Sequence, residues 1–227
     1  TKNLRILNLA NNNLRNLPRN LFAKTSLEEV NLSGNLLAVM PNNAIADVGE
    51  TLRKLDLSNN HIEHLDSTMF ATVSSLSNLN LSGNKLTILP DNVFTGVGNL
   101  LTLDLSVNPL RANFKELFHY VQKLRYLNLT ETGLVDVPPL PLPNLVELRL
   151  SRNRMEKLSC ASVDNLGHLR RLYLDHNRFK TPPNDAWPCL LSLKELDLSN
   201  NPIKVSKNSD KDLYRKETYY NNKNDFI

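Results

Sequence analysis

Leucines recur along the chain in a fixed frame, L-x-x-L-x-L-x-x-N-x-L, in which polar positions separate the aliphatic ones. The frame occurs first at Leu4, Leu7, Leu9, Asn12 and Leu14, and it returns every 21 to 25 residues. The copies begin at nine positions: Leu4, Leu27, Leu52, Leu76, Leu100, Leu124, Leu145, Leu169 and Leu193. Nine copies in one frame predict a solenoid of stacked repeats.

The L-x-L centre of each copy predicts a short strand. Successive side chains of a strand point to opposite faces, so both leucines turn inward and the residue between them turns outward. One such strand buries too little apolar surface alone, so neighbouring copies should stack into a parallel sheet over a continuous core. The predicted fold is an α/β, β-rich solenoid with a parallel concave sheet and an irregular or short-helical convex side.

The asparagine of each copy lies where the chain turns out of the strand. A carboxamide donates and accepts hydrogen bonds at once, so stacked asparagines can satisfy the buried backbone groups of neighbouring turns. Copy six carries Thr132 at this position. Because a hydroxyl lacks the second donor, we expect a local weakening at copy six and no break.

The return arms carry a second set of large side chains at one shared offset. They are Phe22, Ile45, Phe70, Phe94, Phe118, Val163 and Trp187. We interpret this stripe as a second spine of the core, not as a cofactor site. Copy six has four prolines between residues 138 and 143, which predict an extended arm.

The repeat frame ends after Ile203, so residues 1–203 form the predicted solenoid. The segment 204–227 has polar residues where the next copy would need large apolar ones, and it is predicted to be a disordered or artefactual tail. The chain begins without methionine or an apolar leader, which suggests part of a longer protein. It has no run of eighteen apolar residues, so no membrane span is predicted.

Composition strengthens the repeat interpretation, since the 227 residues include 45 Leu and 32 Asn. With 41% hydrophobic residues, there is enough apolar material for a core. The net charge of +4 is too small to indicate nucleic acid as a partner.

The copy from Leu76 to Val97, LSNLNLSGNKLTILPDNVFTGV, follows the 24-residue frame of typical extracellular leucine-rich repeats almost position for position. Over roughly residues 3–203 the chain resembles the ectodomain repeats of chaoptin-like proteins first, and also of Slit-like and Toll-like proteins. The resemblance implies a leucine-rich-repeat horseshoe in a secreted or membrane-anchored glycoprotein that binds other proteins in cell adhesion. The chain departs from many such proteins in lacking cysteine-rich caps.

A partner site is predicted on the outward columns of the concave sheet. Copies one to five carry mainly small amides, carboxylates and serines there. Larger side chains gather in copies six to eight: Tyr126, Arg149, Arg152, Arg171, Tyr173, His176 and Arg178. Because Tyr and Arg are enriched at energetic centres of interfaces, Tyr126, Arg149, Arg171 and Tyr173 are the candidate partner-binding residues. The alternative is a solvated, mildly basic surface with Glu147 and Glu195 among its counter-charges.

The outward residues between the two leucines of each L-x-L form a column that we call the central column. Three of its asparagines lie in N-x-S/T sequons, namely Asn31, Asn80 and Asn128. They are candidate N-glycosylation sites, although the repeat itself writes L-x-L-S and so creates a sequon wherever an asparagine occupies the column. Glycans there would project from the concave centre and direct a partner towards copies seven to nine or the side edges.

Catalytic and metal-binding motifs are not evident in the sequence. The five histidines are scattered without a paired ligand, and no nucleophile elbow, phosphate loop or H-E-x-x-H occurs. We therefore expect no enzyme, cofactor or metal site. Cys160 and Cys189 lie at different offsets of adjacent arms, so a disulfide between them is possible but not favoured.

The expected partner is a protein, either a cell-surface protein or a second copy of the chain. Two further functions stay open at this point. A Toll-type pattern-recognition ectodomain would bind a microbial ligand or a processed cytokine. An intracellular scaffold or regulatory subunit would have unglycosylated asparagines and reduced cysteines.

Overall fold

The computed structural model describes residues 2–204, in which nine parallel three-residue strands form one open sheet in chain order. The strands are β1 (Ile6–Asn8), β2 (Glu29–Asn31), β3 (Lys54–Asp56), β4 (Asn78–Asn80), β5 (Thr102–Asp104), β6 (Tyr126–Asn128), β7 (Glu147–Arg149), β8 (Arg171–Tyr173) and β9 (Glu195–Asp197). Each strand begins two residues after a repeat start. The predicted α/β solenoid with a parallel concave sheet is confirmed.

The sheet register places equivalent residues of successive copies side by side. Leu55 pairs with Leu79, and Leu79 pairs with Leu103. The central residue of every strand from β2 to β8 is buried, whereas its two neighbours are more exposed. The outward residues therefore form columns that run across the concave face.

The large side chains of the return arms form the second spine of the core. Phe22, Phe70, Phe94 and Phe118 are fully buried, and the rings of Phe70 and Phe94 lie 5.9 Å apart. Trp187 in copy eight is only half-buried. Burial of each such aromatic or aliphatic side chain stabilises the fold by roughly 1.5–3 kcal/mol.

The convex side consists of turns and very short helices. The described residues include α1 (Asn42–Ala46), α2 (Phe114–Leu117), α3 (Cys160–Val163) and two 3₁₀ helices, Thr95–Val97 and Asn184–Cys189. The arm of copy six has no helix between residues 135 and 143, because its prolines lack the N–H that a helix needs.

The asparagine ladder joins each turn to the turn before it. Nδ2 of Asn108 donates to the carbonyls of Leu81, Leu105 and Ser106, and its Oδ1 accepts the N–H of Leu86. Equivalent asparagines in copies two to four and seven to nine bond in the same way. These side chains are buried in copies two to five, seven and eight, so they supply partners that water cannot.

Within the described residues, the ladder lacks its link from copy six back to copy five, which agrees with the local weakening expected from Thr132. Thr132 donates to the carbonyl of Leu129 in its own copy, and the described contacts include no bond from its side chain back to copy five. The N–H of Leu110 bonds instead to the carbonyl of Asn108. The sheet continues across this junction, since β5 still pairs with β6.

The residue before each ladder position has a left-handed backbone in all nine copies. Glycine suits this conformation at Gly34, where a Cβ atom would lie only 2.3 Å from Oδ1 of Asn11. Copy five has Val107 here, with φ of 53°. A β-branched residue in this region carries local strain of about 1–3 kcal/mol.

Cys160 and Cys189 form a disulfide with Cα atoms 5.4 Å apart, which corrects the sequence expectation. The expectation assumed that an offset of five residues along extended arms would separate the two Cα atoms too far for a disulfide. Instead, Cys160 begins α3 and Cys189 ends the 3₁₀ helix of copy eight. Helical segments advance about 1.5–2 Å per residue, roughly half the advance of extended chain, so the two arms bring the sulfurs together.

The predicted tail, apart from Lys204, lies outside the described residues. Within residues 2–204, no helix has the length and apolar character needed to cross a bilayer.

Restoring the ladder should stabilise the solenoid. We expect Thr132→Asn to raise the free energy of unfolding by about 1 kcal/mol, because its amide can reach the carbonyl of Leu105 and the N–H of Leu110. Urea unfolding followed by circular dichroism measures the change. The matched reverse variant, Asn108→Thr, should lower stability by a similar amount or more. A Thr132→Asn variant no more stable than wild type would contradict this account of the gap.

Candidate functional site

The central column of the concave face has a structural task in most copies. Its Asn or Asp side chain accepts the backbone N–H two residues further on and so closes the turn out of the strand. Seven of the nine copies make this bond, through Asn8, Asn31, Asp56, Asn80, Asp104, Asn128 and Asp197. The two exceptions are Arg149 on β7 and Tyr173 on β8.

The four predicted residues lie together around one carboxylate, Glu147. Its two oxygens accept hydrogen bonds from Nε of Arg149 and Nε of Arg171, both at 2.7 Å. The guanidinium of Arg149 lies 4.7 Å from the ring centroid of Tyr173, and that of Arg171 lies 6.0 Å from the ring of Tyr126. The arrangement continues to β9, where Glu195 accepts a hydrogen bond from the Tyr173 hydroxyl at 2.8 Å.

Glu147 is the hub of this cluster, which we call the concave cluster. From the sequence, Glu147 was predicted only to be a counter-charge, because strand order does not show which side chains contact each other. Its side chain is 13% exposed, against 50% for Arg149 and 36% for Arg171. One ionised carboxylate therefore orients two guanidinium groups that stay partly exposed.

The ionisation of the cluster follows from these contacts. Burial would raise the pKa of Glu147, but hydrogen bonds from Arg149 and Arg171 outweigh it, so the net pKa lies below the ordinary value. Burial, together with the hydrogen bond to Glu195, raises the pKa of Tyr173 to about 12. At neutral pH the cluster presents charged arginines and a neutral tyrosine.

The other residues of the predicted group lie apart from the cluster. His176 contacts Asp175 at 2.8 Å. Arg152 borders a hollow of about 520 Å³ that is lined by residues following β5, β6 and β7 in the chain, Thr132 among them. These residues were grouped with the cluster because they belong to the same copies. They lie in the turns after the strands, whereas the cluster residues lie in the strands themselves.

A second hollow, of about 470 Å³, lies on the concave face over β1 to β5. Ile6, Lys54, Asp56 and Thr102 are among its lining residues, and Ile6 is 63% exposed. This region was not predicted from the sequence. The apolar Ile6 in an outward column was the one feature that could have indicated it.

The three sequon asparagines lie on the concave face, and they differ in how their amide nitrogens are bound. Nδ2 of Asn128 donates to Asp104 at 2.9 Å, and Nδ2 of Asn80 reaches Asp56 at 3.4 Å. For Asn31 the described contacts include only bonds in which Oδ1 accepts from Ser33. Asp closes the same turn in other copies, so an acceptor oxygen is what the turn uses at this position. An asparagine here is therefore explained by the turn, whether or not it carries a glycan.

Residues 2–204 contain no group of three or more side chains suited to holding a metal ion.

Family models described as leucine-rich repeat match residues 50–110, 143–203 and 3–24. Chaoptin of Tribolium castaneum is 35% identical over 191 residues, which cover 82% of this chain and 24% of chaoptin. The chain thus spans about a quarter of the length of this curated relative. The expected similarity to chaoptin-like repeats is confirmed.

Solved structures share the solenoid. A leucine-rich-repeat protein of Leptospira interrogans superposes with a TM-score of 0.73 at 27% identity, covering 89% of this chain and 56% of that one. The structure of the TLR13–ssRNA13 complex gives a TM-score of 0.68 at 28% identity, covering 81% of this chain and 26% of that one.

Glu147→Gln tests the hub, because it keeps the side-chain shape and removes the charge. We expect the free energy of unfolding at neutral pH to fall by about 1 kcal/mol, since both guanidinium groups stay partly solvated. The depressed pKa means that this contribution is present above the ordinary value of 4.5 and is lost as pH falls through the lowered pKa. Urea titrations of both proteins across this range should therefore converge in acid.

Glu63→Gln is the control, because Glu63 only pairs with Lys85 on the exposed surface, at 3.6 Å. It should unfold like the wild type at every pH. Equal stability of Glu147→Gln and wild type at neutral pH would show that Glu147 does not hold the cluster.

Proposed function

Because the chain belongs to the leucine-rich-repeat family, we propose that it is a protein-recognition platform of a secreted or cell-surface protein that acts in cell adhesion. The core leucines fix a stiff curved sheet, and the outward side chains select the partner by shape and charge. The concave cluster of Tyr126, Arg149, Arg171 and Tyr173 is the proposed contact site. The partner is another cell-surface protein or a second copy of this chain.

One observation carries the proposal: the central column abandons its turn-closing Asn or Asp only at Arg149 and Tyr173. These positions give up a bond that seven other copies keep, and they gain large side chains with polar tips. Residues that break a local structural rule are expected at functional sites. Tyr and Arg are also the side chains that dominate interface energetics.

The cluster is also preorganised for binding. Glu147 already holds Arg149 and Arg171, and the ring of Tyr173 lies against Arg149. A partner would therefore immobilise few freely rotating side chains, which reduces the entropy cost of association. With strands ~4.8 Å apart, nine of them give a face on the order of 40 Å long, ample for a protein-sized interface.

The Cys160–Cys189 disulfide supports a secreted or cell-surface location, because disulfides persist mainly in oxidising compartments. It therefore weighs against the intracellular scaffold. Glycans on Asn31, Asn80 and Asn128 would fit the same location. They would project from copies two, four and six and leave β7 to β9 accessible.

A Toll-type receptor ectodomain is the second candidate, favoured by the structural similarity to TLR13. The same concave face would then bind a microbial ligand. A membrane span followed by a cytoplasmic signalling domain in the full-length gene would favour this candidate over an adhesion protein.

The location can be tested on the protein purified from its native tissue. Mass spectrometry of unreduced peptides should find Cys160 linked to Cys189 and a glycan on at least one of Asn31, Asn80 and Asn128. Two reduced thiols together with three unmodified asparagines would instead support the intracellular scaffold.

The contact site can be tested with fluorescently labelled chain and cells of the source tissue. Arg149→Ala, Arg171→Ala and Tyr173→Ala should each cost about 2 kcal/mol or more, about thirtyfold in Kd, as expected for central interface residues. Protease treatment of the cells should abolish binding if the partner is a protein.

Lys54→Ala is the matched control, because Lys54 occupies the column of Arg171 in copy three and also pairs with a glutamate, at 2.7 Å. It should bind like the wild type. Normal binding by all three cluster variants would show that the partner site lies elsewhere.

A further inference from the structure

The side of the sheet where the chain enters each strand is strongly basic in copies six to nine. Its exposed side chains Lys123, Arg125, His168, Arg170 and Lys194 form a surface that we call the basic edge. All of them except Lys194 border one shallow hollow of about 530 Å³. No acidic residue of the described chain lines this hollow.

The glutamates at the starts of β7 and β9 already make hydrogen bonds. Glu147 is held by two arginines, and Glu195 accepts the hydroxyl of Tyr173. Within residues 2–204, the ion pairs include none made by Lys123, Arg125, Arg170 or Lys194. These four cations therefore have no carboxylate partner among the described residues.

The same edge is neutralised in the first copies. Arg5 and Arg53 occupy the repeat position of Arg125 and Arg170, but both lie beside Glu28, at 3.4 and 4.0 Å. The positive surface is thus a local feature of the last four copies and not a property of the repeat.

The cations are spaced as a line along the solenoid. The backbone N–H of Val146 donates to the carbonyl of Arg125, that of Arg170 to the carbonyl of Val146, and that of Lys194 to the carbonyl of Arg170. Neighbouring strands are ~4.8 Å apart, so Arg125 and Lys194 are separated by about 15 Å of edge. A linear array on a shallow surface fits an extended polyanion better than a compact anion, which needs converging donors.

We propose that the basic edge binds a linear sulfated polysaccharide, with Lys123, Arg125, Arg170 and Lys194 as its contacts. The choice of polysaccharide rests on the secreted or cell-surface location proposed above, while the charge pattern does not. The polymer would lie beside the concave cluster, since Tyr126 and Arg171 border the same hollow.

Two other polyanions fit the edge less well. Single-stranded RNA binds through bases stacked on aromatic rings, and Tyr126, the aromatic residue of this hollow, is already near the Arg171 guanidinium. An acidic protein would bury an interface centre depleted in charge, whereas three of the four successive positions along this edge, Arg125, Arg170 and Lys194, are cationic.

The experiment measures binding of the 227-residue chain to a heparin oligosaccharide by titration calorimetry at several salt concentrations. The double variant Arg125→Gln/Arg170→Gln should bind about tenfold more weakly, and its log–log salt slope should fall by about 2. Arg125→Lys/Arg170→Lys should retain most of the affinity, because the charge is kept. Chemically desulfated heparin should bind the wild type weakly.

Arg5→Gln/Arg53→Gln is the matched control, with the same repeat position and the same charge change. An equal loss in this control, or unchanged heparin affinity in the Arg125/Arg170 variant, would overturn the proposal. Tighter binding of single-stranded RNA or polyglutamate of equal charge would overturn the choice of polysaccharide. Arg149→Ala separates the proposed protein contact at the concave cluster from the proposed polysaccharide site at the basic edge. It should weaken cell binding but leave heparin affinity unchanged.

Discussion

The solenoid depends on hydrogen bonds that satisfy the backbone at each turn out of the sheet. Each strand has only three residues, and the turn that follows it begins inside the protein. The backbone carbonyls of residues such as Leu81 and Leu105, which are fully buried, therefore need partners from the protein. Asn108 meets both from one carboxamide and accepts an N–H from the previous copy as well. The ladder asparagines of copies two to five and seven to nine each bond the preceding copy, so the turns as well as the leucine core hold the copies together.

This requirement divides the outward positions into two kinds. Where the central column closes the turn, its residue is Asn or Asp in all seven copies, and a side-chain oxygen is already engaged by the backbone. Arg149 and Tyr173 lie outside that requirement, so the fold does not explain their identity. A comparison of the copies within one chain can therefore separate residues that the turn needs from residues that it does not, and the proposed contact site rests on that separation.

The architecture was predictable because leucine spacing sets strand position, inward direction and register at once. The gap at Thr132 was predictable for a similar reason, since the missing donor is a property of the side chain itself. The Cys160–Cys189 bond was not, because its distance depends on how tightly the arms of copies seven and eight coil. The role of Glu147 was hidden too, as it arises from rotamers that cross between strands. The function of the concave cluster stays a prediction.

The interruption of the ladder and the two candidate surfaces occur in the same part of the chain. Copy six has Thr132 and an extended proline-rich arm, and copies six to nine carry the concave cluster and the basic edge. The Cys160–Cys189 bond ties the arms of copies seven and eight together. Both candidate surfaces therefore lie on the side of the gap that carries the disulfide, and the disulfide links the same two copies that contribute Arg149 and Tyr173.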